Sequence, residues 1–254
     1  MRNVWIIFRR ELKSYFASPI AYMLMADFAL IFGFVFFGAT REFVGRSFMA
    51  QMQGRDMPMN VNEVIRGLLG FSSTVLLFVI PLVSMRLFAE EKRMGTIELL
   101  MTSPVGDWEV VLGKWLGALW LYVCVLAAPA LNVALLFAFG RPDWKPILVG
   151  FLGLILQGGA LLAIGAFISS TTKDQIVAGA VTIHACLLLW MLSWFTQFDS
   201  GAVSQAINYL SILTHLEGFA KGVLDSRDVI FYLSMIFFGL FLTARSLEST
   251  RWRA

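Results

Sequence analysis

Apolar residues in this chain fall in blocks whose length, rather than period, carries the message. Crossing the hydrocarbon of a bilayer takes about 20 apolar residues at 1.5 Å rise each. By that rule the spans are 20–39, 67–85, 115–139, 147–169, 176–198 and 229–244. Lipid offers no water to peptide groups, so all six are predicted helices. The last is short, with only sixteen residues between Asp228 and Arg245. It must snorkel Arg245, extend past it, or sit in a thinned bilayer.

A different pattern precedes the first block. Val4, Trp5, Phe8, Leu12, Tyr15 and Phe16 recur at helical spacing, with Arg2, Arg9 and Lys13 on the other side. This reads as an amphipathic helix in the interface plane, its basic face toward anionic headgroups. The plainer alternative is a positively charged topology anchor. Ser18 as N-cap and Pro19 as first helical residue then start the first span. Residues 140–146 and 170–175 are tight turns. The stretch 199–228 is too long for a turn, and its apolar part, 202–213, suggests interfacial or re-entrant helices over the outer mouth.

Residues 86–114 form the longest strongly charged stretch, between the second and third spans. Gly95 and Thr96 open a short segment, 97–101, apolar apart from Glu98, and Thr102-Ser103-Pro104 breaks it. Asp107 is predicted to cap a helix running into the third span, with acids at the positive end of its dipole. Apolar knobs flanked by charge suit insertion into a partner's groove; a solvated loop of mixed charge is the bland reading.

Composition confirms the class. Of 254 residues 58% are hydrophobic and 15% charged, and the mean hydropathy is +0.75. Soluble domains are roughly half apolar, so this is an all-α integral membrane protein. The net charge of +3 is spread over loops and gives no support to nucleic-acid binding. Cys124 and Cys186 lie inside spans and say nothing about redox compartment. The first twenty residues mix charge and apolar groups and do not read as a cleavable signal. Six spans put both termini on one side, which holds twelve of the 20 lysines and arginines. The positive-inside rule places that side in the cytoplasm.

Catalytic signatures are missing. Gly113-Lys114 is followed by Trp115 and has no upstream glycine at nucleotide-loop spacing. There is no GxSxG, no HExxH and no metal-spaced cysteine set. The chain is therefore expected to have no catalytic, cofactor or metal site of its own. Asp27, a third of the way into the first span, costs about 3 kcal/mol on insertion scales. It is a polar point on a transport path or permease–permease contact, or an inward-facing acid paired with a residue such as Arg86. His184 reads as a helix–helix hydrogen bond or a proton relay. Met49, Met52, Met57 and Met59 could bind Cu(I) or act as flexible apolar filler. His215 and Glu217 read as a hydrogen-bonded loop pair.

The run AEEKRMGTIELLMTSPVGDWEVVLGK at 89–114 resembles the cytoplasmic segment of ABC-2-type exporter permeases, particularly the gliding-motility-associated branch. YFASPIAYM at 15–23, FISSTTKDQIVA at 167–178, HLEGFAKGVLDSRDVIFYLS at 215–234 and FLTARSLESTRWR at 241–253 resemble the same branch, colinearly. The resemblance implies a single ABC-2 exporter fold over 1–254, with six transmembrane helices, an N-terminal interfacial helix and a cytoplasmic coupling helix between the second and third spans. Glu90, Glu91, Arg93, Gly95, Thr96, Glu98 and Pro104 occupy the coupling motif, and Asp27 departs from the family's usual apolar residue. It further implies two copies of a separate ATPase subunit that binds ATP and Mg, a second permease, identical or related, and a bacterial inner membrane location. Export driven by that ATPase is the expected function. The alternatives are an ATP-driven scaffold acting on an extracytoplasmic partner without moving a solute, and a secondary transporter using Asp27 and His184.

Overall fold

The computed structural model describes residues 2–54, 61–97, 105–139, 142–195, 201 and 207–251. These residues form helices and no strand. In chain order they are α1 (Arg2–Ala17), α2 (Pro19–Met52), α3 (Val61–Ser84), α4 (Ala89–Met94), α5 (Asp107–Phe139), α6 (Trp144–Thr171), α7 (Gln175–Phe195), α8 (Ile212–Ala220) and α9 (Ser226–Arg251). Six of them, α2, α3, α5, α6, α7 and α9, are long and apolar enough to cross a membrane.

Where the boundaries differ from the sequence reading, side-chain hydrogen bonding explains it. The expected start of α2 holds: Ser18 is the N-cap, accepting from the Ile20 amide at 3.4 Å, and Pro19 takes the first turn. Its end does not. α2 continues 13 residues past Ala39, for 34 residues in all, or about 51 Å. Thr40 and Ser47 do not break it, because their hydroxyls bond back to the carbonyls of Phe36 and Phe43, each at 2.8 Å. Glu42 and Arg46 add an ion pair one turn apart. Met49 and Met52 are therefore exposed residues of a helix, while Met57 and Met59 lie outside the described residues. The last span likewise runs on, from Ser226 to Arg251, and carries Arg245 with it. That guanidinium pairs with Glu248 at 2.6 Å and lies over the Phe241 ring.

α6 is the axis of the molecule, touching α3, α5, α7, α8 and α9. Small residues make this possible, since helices in lipid gain little from apolar burial and rely on close packing. At Gly158 an added Cβ would lie 2.2 Å from the Tyr122 ring, whose hydroxyl donates to the Leu154 carbonyl at 2.8 Å. Trp115 donates to the Gly159 carbonyl at 3.0 Å. Buried Ser73 and Gln157 bond each other across α3 and α6. α2 and α7, by contrast, bury little and flank α3, which touches both.

The connection after α7 contains a helix covered by protein. Ile212, Leu216 and Phe219 of α8 are buried, and α8 packs against α6. His215 is buried too, but its partner is not Glu217. Its Nδ1 meets Asp228 Oδ1 at 2.6 Å, its Nε2 meets the Tyr209 carbonyl at 2.8 Å, and its ring stacks on Phe231. Glu217 instead faces Lys221 on the surface at 3.7 Å. The sequence spacing of 215 and 217 suggested a local pair, whereas the helix points them to different sides.

Candidate functional site

The described residues of the charged stretch, 86–97 and 105–114, lie on the side of the molecule where α1 lies. Pro81 inside α3 removes one amide donor, and its carbonyl still accepts from the Met85 amide at 2.9 Å. A turn over 85–88 follows, then α4. Ser169, near the end of α6, anchors that turn: its hydroxyl donates to the Met85 carbonyl at 3.0 Å and accepts from the amides of Phe88 and Ala89, each at 3.1 Å. Two first-turn donors of α4 thus find their acceptor on another helix. Lys92 reaches the Ser170 carbonyl, which also accepts from Ser246 of α9 at 3.2 Å.

α4 ends at Gly95, whose φ of 71° reverses the chain in a conformation that favours glycine. Thr96 Oγ1 bonds the Glu91 carbonyl at 3.4 Å and Ile97 is buried. Of the seven residues that the resemblance assigned to a coupling motif, Glu90, Glu91, Arg93, Gly95 and Thr96 are placed together here, with Arg93 and Gly95 exposed. Glu98 and Pro104 lie outside the described residues.

Three helices meet at Lys114. This lysine of α5 is 3% exposed, with its ammonium 2.8 Å from Glu11 of α1 and 3.0 Å from Glu91 of α4. It also lies over the Phe88 ring, 5.5 Å from the centroid. The approach of α1 depends on Gly113 and Gly117, which flank Lys114 along α5. A Cβ at Gly113 would lie 2.8 Å from the Ile7 side chain, and one at Gly117 2.8 Å from Glu11 Cβ. α1 is therefore docked on α5 through Ile7 and Glu11, while Trp5 remains exposed beneath Arg9. Beside the cluster is a cavity of about 230 Å³ lined by Glu11, Tyr15, Leu24, Arg86, Glu90 and Leu121 among others. Arg86 Nε, on the cavity wall, is buried without a hydrogen-bond partner, and polar walls of this size accommodate water; Glu91 Oε2, in the ion cluster, is likewise buried and without one.

α5 begins one residue differently from expectation. Asp107 is its first helical residue, and Glu109 does the capping, accepting from the Gly106 amide at 3.3 Å and from Asn3 of α1 at 2.8 Å. A second bridge thus ties α1 to the start of α5. Glu11 and Ser169 were not among the residues the sequence singled out, and Lys114 entered only in a glycine–lysine pair rejected as a nucleotide loop. The available signal was a lysine set between two glycines four apart at the edge of an apolar run.

The two intramembrane polar residues sit elsewhere. Asp27 is exposed and has no hydrogen bond or ion pair among the described residues; Arg86 does not reach it. His184 is also exposed, and among the described residues no hydrogen bond joins it to another helix. Its Nδ1 lies 2.7 Å from the Ala180 carbonyl of its own helix, because α7 turns this face away from its neighbours. Within one chain no bond brings Asp27 and His184 together.

The arrangement consists of a surface turn, a short helix behind it, and two ion pairs from Lys114 of α5, one to α1 and one to α4. A search of curated proteins finds no match. The family model described as ABC-2 family transporter protein matches residues 5–242. That match takes in most of α1, the junction, five spanning helices whole and the sixth as far as residue 242, so the chain is a multi-pass membrane protein belonging to the ABC-2 transporter family.

Proposed function

We propose that the chain is the permease subunit of an ABC exporter in a bacterial cytoplasmic membrane, with both termini in the cytoplasm. Two permeases pair around a central path, and two ATPase subunits bind ATP and Mg below them. The observation that carries this is Lys114, which bonds α1 and α4 to α5 immediately behind the Gly95 turn. An ATPase that grips residues 90–104 as it closes on nucleotide would move α4. The ion cluster then obliges α1 and α5 to follow, and the Ser169 anchor draws in α6. Work is done by differential contact in two states, with no chemistry on this chain.

The test uses the co-expressed complex in lipid nanodiscs. Gly95→Trp and Glu98→Arg abolish co-purification of the ATPase while membrane insertion stays normal. Retention of the ATPase at full yield by both variants refutes the reading. A second reading, a membrane scaffold of the gliding-motility kind that works on an extracytoplasmic partner, draws support from the 13-residue extension of α2 with Phe48, Met49 and Met52 exposed. Stimulated ATP hydrolysis in sealed vesicles without solute accumulation favours the scaffold.

A further inference from the structure

The cavity of about 230 Å³ beside the Lys114 cluster gathers polar side chains that the fold leaves unanswered. Ser14 and Tyr15 of α1, Arg86 of the turn after α3, and Glu90 of α4 all line it. Among the described residues none of these four side chains has a hydrogen bond or an ion pair, and the Arg86 Nε is buried. Arg86 and Glu90 stand four apart, but the turn over 85–88 keeps them off a common helix and they do not pair. Burial, with Glu11 beside it, pushes the Tyr15 phenol up, so it keeps its proton and can donate; Arg86 and Glu90 are close enough to act on it as well. The opposite wall is apolar, with Leu24, Leu82 and Leu121. Leu82 is 42% exposed, in the last turn of α3, and Leu24 lies in the second turn of α2. One spanning helix begins here and another ends, so the cavity lies at a membrane boundary, where lipid headgroups are.

Charge decides what fits. A half-buried guanidinium without a partner is costly, and a single atom of the right sign would relieve it. Glu11 and Glu91 already share Lys114, so with Arg86 and Glu90 two cations face three carboxylates. A purely anionic ligand would meet that negative surplus. A simple cation would satisfy Glu90 and leave Arg86 as it is. A ligand that carries both signs answers both residues. We infer that the cavity seats the headgroup of a membrane phospholipid bearing a phosphate and a primary ammonium, the phosphate against Arg86 and the ammonium against Glu90, with the acyl chains leaving past Leu24 and Leu82 into the bilayer. The ammonium must be primary because Glu90 and the oxygens of Ser14 and Tyr15 accept hydrogen bonds, which a quaternary choline cannot donate. Guanidinium and phosphate match as a two-pronged, charge-assisted pair. Such a lipid touches α1, the turn after α3 and α4 at once, so it ties these three elements to one leaflet.

The test is headgroup selectivity. Full-length protein in mixed micelles is titrated with phosphatidylethanolamine, phosphatidylcholine and phosphatidylglycerol of identical acyl chains, and bound lipid is counted by native mass spectrometry. The ethanolamine lipid should bind about tenfold more tightly than either of the others. Arg86→Gln should weaken its binding about tenfold. Glu90→Gln should keep the binding of phosphate but accept phosphatidylglycerol as well as phosphatidylethanolamine, a change of preference that a loosened fold would not produce. Glycerophosphoethanolamine, the same headgroup without chains, should bind at least about a hundredfold more weakly. Equal binding of the three lipids by the unaltered protein overturns the inference whatever the variants do. So does a Glu90→Gln protein that keeps the original preference. Tight binding of glycerophosphoethanolamine would make the ligand a soluble zwitterion and overturn its assignment to the membrane. The measurement involves neither ATPase nor transport, so it stands or falls apart from the permease reading.

Discussion

Lys114 shares its ammonium between two carboxylates, and all three side chains are largely out of water. Removing the cation leaves two buried acids facing each other, a change that costs about 3–5 kcal/mol for comparable pairs. Lys114→Ala should therefore destabilise the protein by roughly that amount in reversible unfolding from mixed micelles. Glu11→Gln, Lys114→Met and Glu91→Gln combined should recover most of the loss, because no uncompensated charge remains. If the cluster transmits force, the triple variant will be stable, bind the ATPase, and show no transport-linked stimulation of hydrolysis. Normal stimulation would show that the cluster only holds the helices in place. At Ser169 the stake is hydrogen bonding: Ser169→Ala orphans the amides of Phe88 and Ala89, with an expected loss of about 1–3 kcal/mol in the same assay. Gly95 and Thr96 were read as the opening of the segment 97–101, whereas Gly95 closes the short helix before it, a helix the sequence reading did not predict. Lys114 was not legible, because a lysine at the end of an apolar run usually snorkels, and its acids come from residues 103 and 23 positions away.

The helices themselves were easy to read, since length and composition decide them, but their ends were not. Serine, threonine and charged residues look like loop in a sequence; along α2 they bond back into the helix or pair with the next turn. α1 was read with the right amphipathic pattern and an incomplete destination, as the side with Ile7 and Glu11 rests on α5 and not on lipid. That docking depends on the absence of a side chain at Gly117. Gly117→Leu should lift α1 from α5 without disturbing the spans, so that trypsin cuts after Arg9 and Arg10 faster than in the parent protein while circular dichroism is unchanged. Unaltered proteolysis would mean that α1 tolerates the displacement.

At the scale of the whole molecule, orientation is the simplest claim to test. A cysteine at Gly106, in a background lacking Cys124 and Cys186, should resist impermeant thiol reagents in intact cells and react in inverted vesicles. Labelling from outside would invert the topology. The six-helix plan followed from apolar block lengths, whereas the central place of α6 did not, because block lengths carry no information on which helix neighbours which. The length of α2 has a consequence of its own. A stiff rod of about 51 Å, rooted in an apolar slab about 30 Å thick, behaves as an oar in its lock. A tilt of about 10° about the edge of the slab sweeps the far tip, about 20 Å beyond it, sideways by about 3.5 Å. Whatever rocks the inner end is thus felt by any object resting against the outer blade, and no hinge is needed in between.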